Sequence, residues 1–301
     1  MYGVYPYGSA PYGAAPLGIA PAAGASERFL ILTPRESDLA TLTASSAADG
    51  LPVTNLQTMQ PAQVWRSTSA VAQYIDVVFP YPVAANALAI VAPNVTAAGV
   101  FRARGANTSA EVTASPAVDT GFQSMWPATG KPNVFDWPVH ISLLRWSNDA
   151  LYRYWRIDIA DAGTVLTYIE AGRLVLGRAW QPTTNFDYGG TPIGYAPADV
   201  QQPTSYGRTF TDRRTVSPPR IFEVSAYALN RREALDGIAE IQRLRGTWGD
   251  VICALDPGES TDFHRFTMQG VFNAGGAYTL PPAFDSSGFM VGAGIRLREL
   301  I

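Results

Sequence analysis

The 301-residue chain holds two histidines, His140 and His264, and one cysteine, Cys253, so acid–base and nucleophilic chemistry has few places to reside. The stretch DPGESTDFHRF carries Ser260, Asp262 and His264, the residue types of a hydrolytic triad. A triad needs a base that reaches the nucleophile and an acid that orients the base. Three residues crowded into one turn before a strand do not supply that geometry, and no Gly-x-Ser-x-Gly elbow is present. A solvated loop is expected. Asp256, Glu259 and Asp262 gather carboxylates there, without the alternating aspartates and closing glutamate of a calcium loop. Cys253 lies inside the apolar GDVICALDP, where a buried, inert thiol is expected. A single cysteine excludes an intrachain disulfide and a cysteine zinc cluster. His140, in WPVHISLL, is expected to pack beside Trp137 or to bond a loop carbonyl. Gly292–Gly294 precede a strand pattern rather than a helix, which is not a dinucleotide fingerprint. The expectation is a non-enzymatic protein with no catalytic residue, cofactor or metal.

Binding offers more. The loop FQSMWPATGKPNVFDWPV sets Trp126, Phe135 and Trp137 between prolines, where aromatics can stack on a glycan or anchor a protein contact. The alternative is a lid of apolar rings over the open end of a sandwich. Arg213-Arg214 and Arg231-Arg232 are expected to be a solvated strand end and helix start. With a net charge of −3, the chain has no bulk attraction to nucleic acid, and no direct sequence-specific nucleic-acid binding is expected.

The elements that must position these residues are read from pattern. A chain of this length suggests about two domains. It is 47% hydrophobic and only 16% charged, with 27 glycines and 23 prolines, which favours many turns and short strands. Residues 1–26 carry no charge and repeat Tyr-Gly and Tyr-Pro. Their prolines rule out a long helix, a secretory leader and a membrane span. An extended arm over 1–27 is expected, with Tyr2, Tyr5, Tyr7 and Tyr12 contacting neighbouring subunits. Phe29 to Leu32 reads as a first strand. In QYIDVVF, Ile75, Val77 and Phe79 alternate with Asp76 and Val78; in YRYWRIDI, Trp155, Ile157 and Ile159 alternate with Arg156 and Asp158. An antiparallel β-sandwich over 28–180 is expected.

The order of a Trp-x-Ser phrase at Trp65, QYIDVVF, ALAIVAPN, FRARG, YRYWRIDI and YIEAGRLVLG resembles galactose-binding-like (discoidin-type) jelly-roll domains. That resemblance implies that Trp65 packs below the sandwich and that the YWRI strand crosses its core. It specifies a fold better than a ligand.

Residues 181–218, rich in Pro, Gly, Thr and Tyr, read as a connector ending in a strand. From 219 to 301 the rhythm changes to strand, helix and three strands: a small β-sheet or barrel with one packed α-helix at 230–246. Asn230 suits the N-cap, Glu233 the capping box and Gly246 the C′ position. Leu235, Ile238, Ile241 and Leu244 form its apolar stripe. This layout, with WRIDIADAGTVLTYIEAGRLVLGRAWQPTTNFDYG, resembles distal-tail and minor tail proteins of siphophage-like tailed bacteriophages. It implies a structural tail-tip component of the virion, assembled in the host cytoplasm. Such a protein forms a ring or collar of its own copies, such as a hexamer, and links tail tube, hub and receptor-binding proteins. The rival reading is a protein that binds a host cell-surface glycan.

Overall fold

The computed structural model describes residues 27–70, 72–133, 137, 139–148, 150–185, 192–196, 200–203, 209–212, 218–230, 232–273, 278–279 and 290–300. The arm lies outside them. The fold is mainly β, and the strand pairs are antiparallel. One six-stranded sheet runs in the order Thr41–Ala44, Gln73–Val83, Tyr152–Asp161, Gly99–Ala106, Val118–Asp119, and Gln123–Ser124 also pairs with Gly99–Ala106. Trp155 stands opposite Val77 on one side and Gly105 on the other. Ile75, Val77, Phe79, Phe101, Trp155, Ile157 and Ile159 are all buried on one face, as their period of two requires. That face packs on a three-stranded sheet, Arg173–Gly177, Ala87–Val91 and Ile141–Arg145, through Leu88, Ile90, Leu174 and Leu176. Trp65 is fully buried in the same core, and its indole N–H donates to the Ser46 carbonyl at 3.0 Å. The two-sheet sandwich expected from the pattern is present.

The three-stranded sheet is buried on its other face as well. Ala87, Ala89, Val91, Ile141 and Val175 meet Leu30, Leu32 and Ile252 of an eight-stranded sheet. This explains why ALAIV is apolar at every position instead of alternating. The eight-stranded sheet runs Ala179–Trp180, Leu30–Leu32, Asp250–Ala254, Thr267–Phe272, Met290–Glu299, Arg220–Asn230, Ile193–Tyr195, and Tyr278–Thr279 also pairs with Met290–Glu299. Two expectations change here. The first strand does not join the sandwich: Ile31 pairs with Trp180 and Cys253, because both flanking ladders belong to the C-terminal sheet. The connector is not merely a link, since Ile193–Tyr195 forms the far edge of that sheet beside Arg220–Asn230.

A helix covers the remaining face. It begins as a π-helix at Glu233–Ala239 and continues as an α-helix at Glu240–Arg245, ending at Gly246 with φ 52°. Only glycine adopts such an angle cheaply. Asn230 is not its cap. It closes the strand Arg220–Asn230, and the carboxylate of Glu233 accepts from the backbone N–H and the hydroxyl of Thr183 instead of capping. The predicted stripe holds at Ile238 and Ile241 but not at Leu235. Ala234, Gly237, Ile238 and Ile241 are buried, while Leu235 is 40% exposed. A π-turn spans one more residue than an α-turn, which rotates the buried face. Gly237 is placed where a Cβ would lie 2.1 Å from Nε1 of Trp180. Four layers result: six-stranded sheet, three-stranded sheet, eight-stranded sheet, helix.

Candidate functional site

The outer face of the six-stranded sheet is built by the residues that alternate with its core. Arg156 donates to Asp76 across the ladder at 2.6 and 2.7 Å, and Arg104 donates to Asp158 with two bonds of 2.8 Å. Arg102 pairs with Asp119 through both ends of its guanidinium. Bidentate pairs of this kind fix the planes of the guanidinium groups. The Arg102 bond holds the Asp119 carboxyl below the usual carboxylate range, and the Asp76 bond raises Arg156. Rings lie among these charges. The Arg156 guanidinium sits 3.9 Å from the Tyr74 centroid, Arg153 sits 5.5 Å from Tyr154, and Arg102 sits 5.6 Å from Phe122.

Phe122 is 51% exposed. Gly121, at φ 63°, turns the chain so that Phe122 stands at the tip, and Asp119 accepts the Gly121 N–H at 2.9 Å to hold that turn. The side-chain amide of Gln123 donates to the Thr120 carbonyl, so that its oxygen stays free of that bond. An apolar ring and a guanidinium–carboxylate pair thus share one surface. Such a set stacks on an apolar face and bonds hydroxyls, and it holds no nucleophile beside a base.

The aromatics named from sequence take different places. Trp126 is 5% exposed and belongs to the sandwich core, with its N–H on the Thr96 carbonyl at 2.6 Å. Its ring lies 5.3 Å from His140 and 6.3 Å from His264, so it closes the sandwich against the C-terminal sheet. Trp137 is half-buried, with the Arg220 guanidinium 4.9 Å from its centroid. Trp126 is therefore corrected from contact surface to lid. Phe135, and Tyr2, Tyr5, Tyr7 and Tyr12 of the arm, lie outside the described residues. Phe122, which begins the same loop, is the exposed ring that the sequence reading does not single out. The signal that could have found it is Thr-Gly-Phe, a turn followed by an edge strand, whereas Trp126 is followed by proline and lysine.

The other chemistry-bearing residues are held structurally. His140 points its Nε2 at the Pro93 carbonyl, 3.0 Å away. Neither ring nitrogen of His264 makes a hydrogen bond, so no Ser260–His264 pair forms. Asp256 accepts from the N–H groups of Glu27 and Gly258, Glu259 from those of Thr261 and Asp262, and Asp262 pairs with Arg265. Among the described residues no three His, Cys, Asp or Glu side chains are grouped to hold a metal ion. Cys253 is fully buried, and burial pushes its thiol up to about 12. Arg232 is exposed at the start of the helix; Arg213, Arg214 and Arg231 lie outside the described residues. No helix among the described residues is long and apolar enough to cross a membrane.

No protein-family model matches the chain. No curated protein matches it. Solved structures similar to about half of it are carbohydrate-binding and lectin domains. Chitosan-binding module 1 of a chitosanase/glucanase from Paenibacillus sp. IK-5 is 17% identical over 46% of this chain and 96% of its own, with a TM-score of 0.34. The family 32 carbohydrate-binding module of C. perfringens NanJ, in complex with galactose, is 14% identical over 48% of this chain and 98% of its own, with a TM-score of 0.34. The lectin domain of lectinolysin, complexed with Lewis B antigen, is 13% identical over 48% and 97%, with a TM-score of 0.35. At these identities and scores the likeness carries nothing about what this chain binds.

Proposed function

We propose that the chain is a non-catalytic recognition protein whose sandwich binds a glycan at a cell surface, through the outer face around Phe122. The observation that carries this reading is the exposed Phe122 ring beside the bidentate Arg102–Asp119 pair. A pyranose presents a C–H face and a rim of hydroxyls. The ring takes the first, and the guanidinium and carboxylate groups take the second. A glycan array followed by titration calorimetry tests it. Saturable binding by the full chain is expected, weakened about tenfold by Phe122→Ala, equivalent to about 1.4 kcal/mol. No saturable glycan, or full binding by the variant, would sink it.

A second reading is a structural component of a phage tail tip, a distal-tail or minor tail protein working with other copies of itself. Its support is the joint between the halves. The small sheet is buried on both faces, and Arg173 and Asp250 bond across that joint. A welded joint suits a building block better than a tethered binding module. The two readings are compatible, with the sandwich as the receptor contact of a tail. Electron microscopy of the purified chain, and mass spectrometry of virions, separate them: rings and virion copies support the second. A monomer missing from virions removes it and leaves the first standing.

A further inference from the structure

The chain's two histidines lie on one tryptophan, and they come from different parts of the fold. His140 immediately precedes the sandwich strand Ile141–Arg145, and His264 sits in the short helix Phe263–Phe266 of the C-terminal half. The loop carrying Trp126 is tied to that half by a second contact, since the Thr129 hydroxyl lies 3.2 Å from the carbonyls of Ser260 and Thr261. His140 has carbonyl acceptors near both nitrogens, Pro93 at 3.0 Å and Trp137 at 3.4 Å, which offset in part the burial that pushes its own pKa down. His264 does not. Both its nitrogens are buried and unbonded, and the Gly130 carbonyl favours the charged form without closing a hydrogen bond.

The charged groups around His264 oppose a second proton. The sandwich contributes His140, and Lys131 of the loop, 5.6 Å from the Trp126 centroid, acts on His140 rather than on His264 directly. The C-terminal sheet contributes Arg220, which donates to the His264 carbonyl at 2.6 Å and is itself paired with Glu299. Asp262 and Arg265, on its own turn, pair with each other in solvent at 2.9 Å. At 6.3 Å the Trp126 ring lies just outside the roughly 6 Å over which a cation gains from an aromatic face.

We propose that this seam is an acid-released latch: with His264 neutral it covers Trp126, and with His264 protonated the 256–266 turn and the 120–133 loop part and present Trp126 and Trp137 to solvent. The two halves stay joined through the apolar layer between the sheets and the buried Arg173–Asp250 pair beside it. Burial first, then the charge of His140 and of Arg220, pushes His264 down to about 4. The sign follows. The closed form holds the neutral ring, so its advantage is complete above about pH 6.5 and is lost as the pH falls towards the closed-form value. His264 is partly exposed, so the opening constant should rise by about 10- to 100-fold rather than by the full amount.

Two histidines give two imidazole signals, which makes the titration readable by NMR on the intact chain. Hydrogen exchange of the 120–133 and 256–266 peptides is followed over the same pH range. The expected result is a His264 midpoint near 4, faster exchange of both peptides in that window, and unchanged protection of the Gln73–Val83 strand. His264→Gln, which stays neutral, should remove most of the rise in exchange between about pH 6.5 and 4, leaving the smaller contributions of His140 and of Glu259 in the same turn, while His140→Gln should keep most of it. A wild-type His264 midpoint near 6.5, or acid opening that persists undiminished in His264→Gln, would overturn the latch. If His264→Gln fails to fold, the wild-type titration and exchange decide.

Discussion

Replacing Asp250 by alanine tests whether the joint between the halves rests on a buried charge cluster. Asp250 is fully buried. One carboxylate oxygen accepts from Arg173 and from Arg245 at 2.9 Å each; the other accepts from Arg173 at 3.0 Å and from Gln269 at 2.7 Å. Arg173, from the sandwich, has no exposed side-chain surface, and its remaining charge partner is Asp38 at 2.8 Å. Two guanidinium groups and two carboxylates therefore balance, with Arg173 and Asp250 fully buried and Asp38 partly open to solvent. Asp250→Ala removes four accepted bonds and leaves Arg245 with the backbone carbonyl of residue 250 at 3.1 Å and, as charge partner, Asp38 3.8 Å away. Stranding a buried charge costs about 3–5 kcal/mol. At about 2–4 °C per kcal/mol for chains somewhat smaller than this one, Tm should fall by on the order of 10 °C. Arg173→Met should cost less, since Asp250 keeps Arg245 and Gln269. The double variant Arg173→Met/Asp250→Leu should lie well above the sum of the two losses, with a coupling energy of about 2 kcal/mol. Urea unfolding, read as the midpoint at constant m, measures each value. An Asp250→Ala cost below about 1 kcal/mol, or additive single and double variants, would refute the reasoning.

Trp155→Ala should cost about 3–5 kcal/mol in the same assay, because a fully packed aromatic leaves a cavity that the two sheets cannot close. Gly237→Ala should destabilise by about 1–3 kcal/mol even though alanine is the better helix former, since the added methyl meets the Trp180 indole. A crystal structure of that variant should show the helix displaced from Trp180. Cys253 should resist an aromatic disulfide reagent at pH 8 in the native protein and react fully in denaturant, because its thiol is both buried and held near 12. Rapid labelling of the native thiol would contradict the packing of the Asp250–Ala254 strand.

Much of this molecule was legible along the chain. Period-two alternation in 73–79 and 154–159 named the core residues and, by the same token, the charged ladder on the outer face. A local pattern suffices there, because a pleated strand sends successive side chains to opposite sides. The glycine that ends the helix was legible for the same kind of reason, since its φ is a property of one residue. Other features needed the assembled fold. The Leu30–Leu32 segment has the composition of any buried strand, and only the three-dimensional arrangement decides that its ladder partners are Cys253 and Trp180 rather than a sandwich strand. On the helix, Ile238 and Ile241 are buried as the stripe predicts, but Leu235 is exposed and Ala234 and Gly237 take the packed positions, where Gly237 lies against the Trp180 indole; residues 57 positions apart leave no local periodic trace. The aromatic loop shows the limit most directly. Phe122 and Trp126 are four residues apart in one Pro- and Gly-rich loop. Sequence marks both as rings able to bind, but the turn at Gly121 and the arrival of His264 from the far end of the chain decide which is exposed. Local pattern fixes which side of a strand is apolar; only packing determines what covers that side, because the covering atoms come from residues that the pattern does not contain.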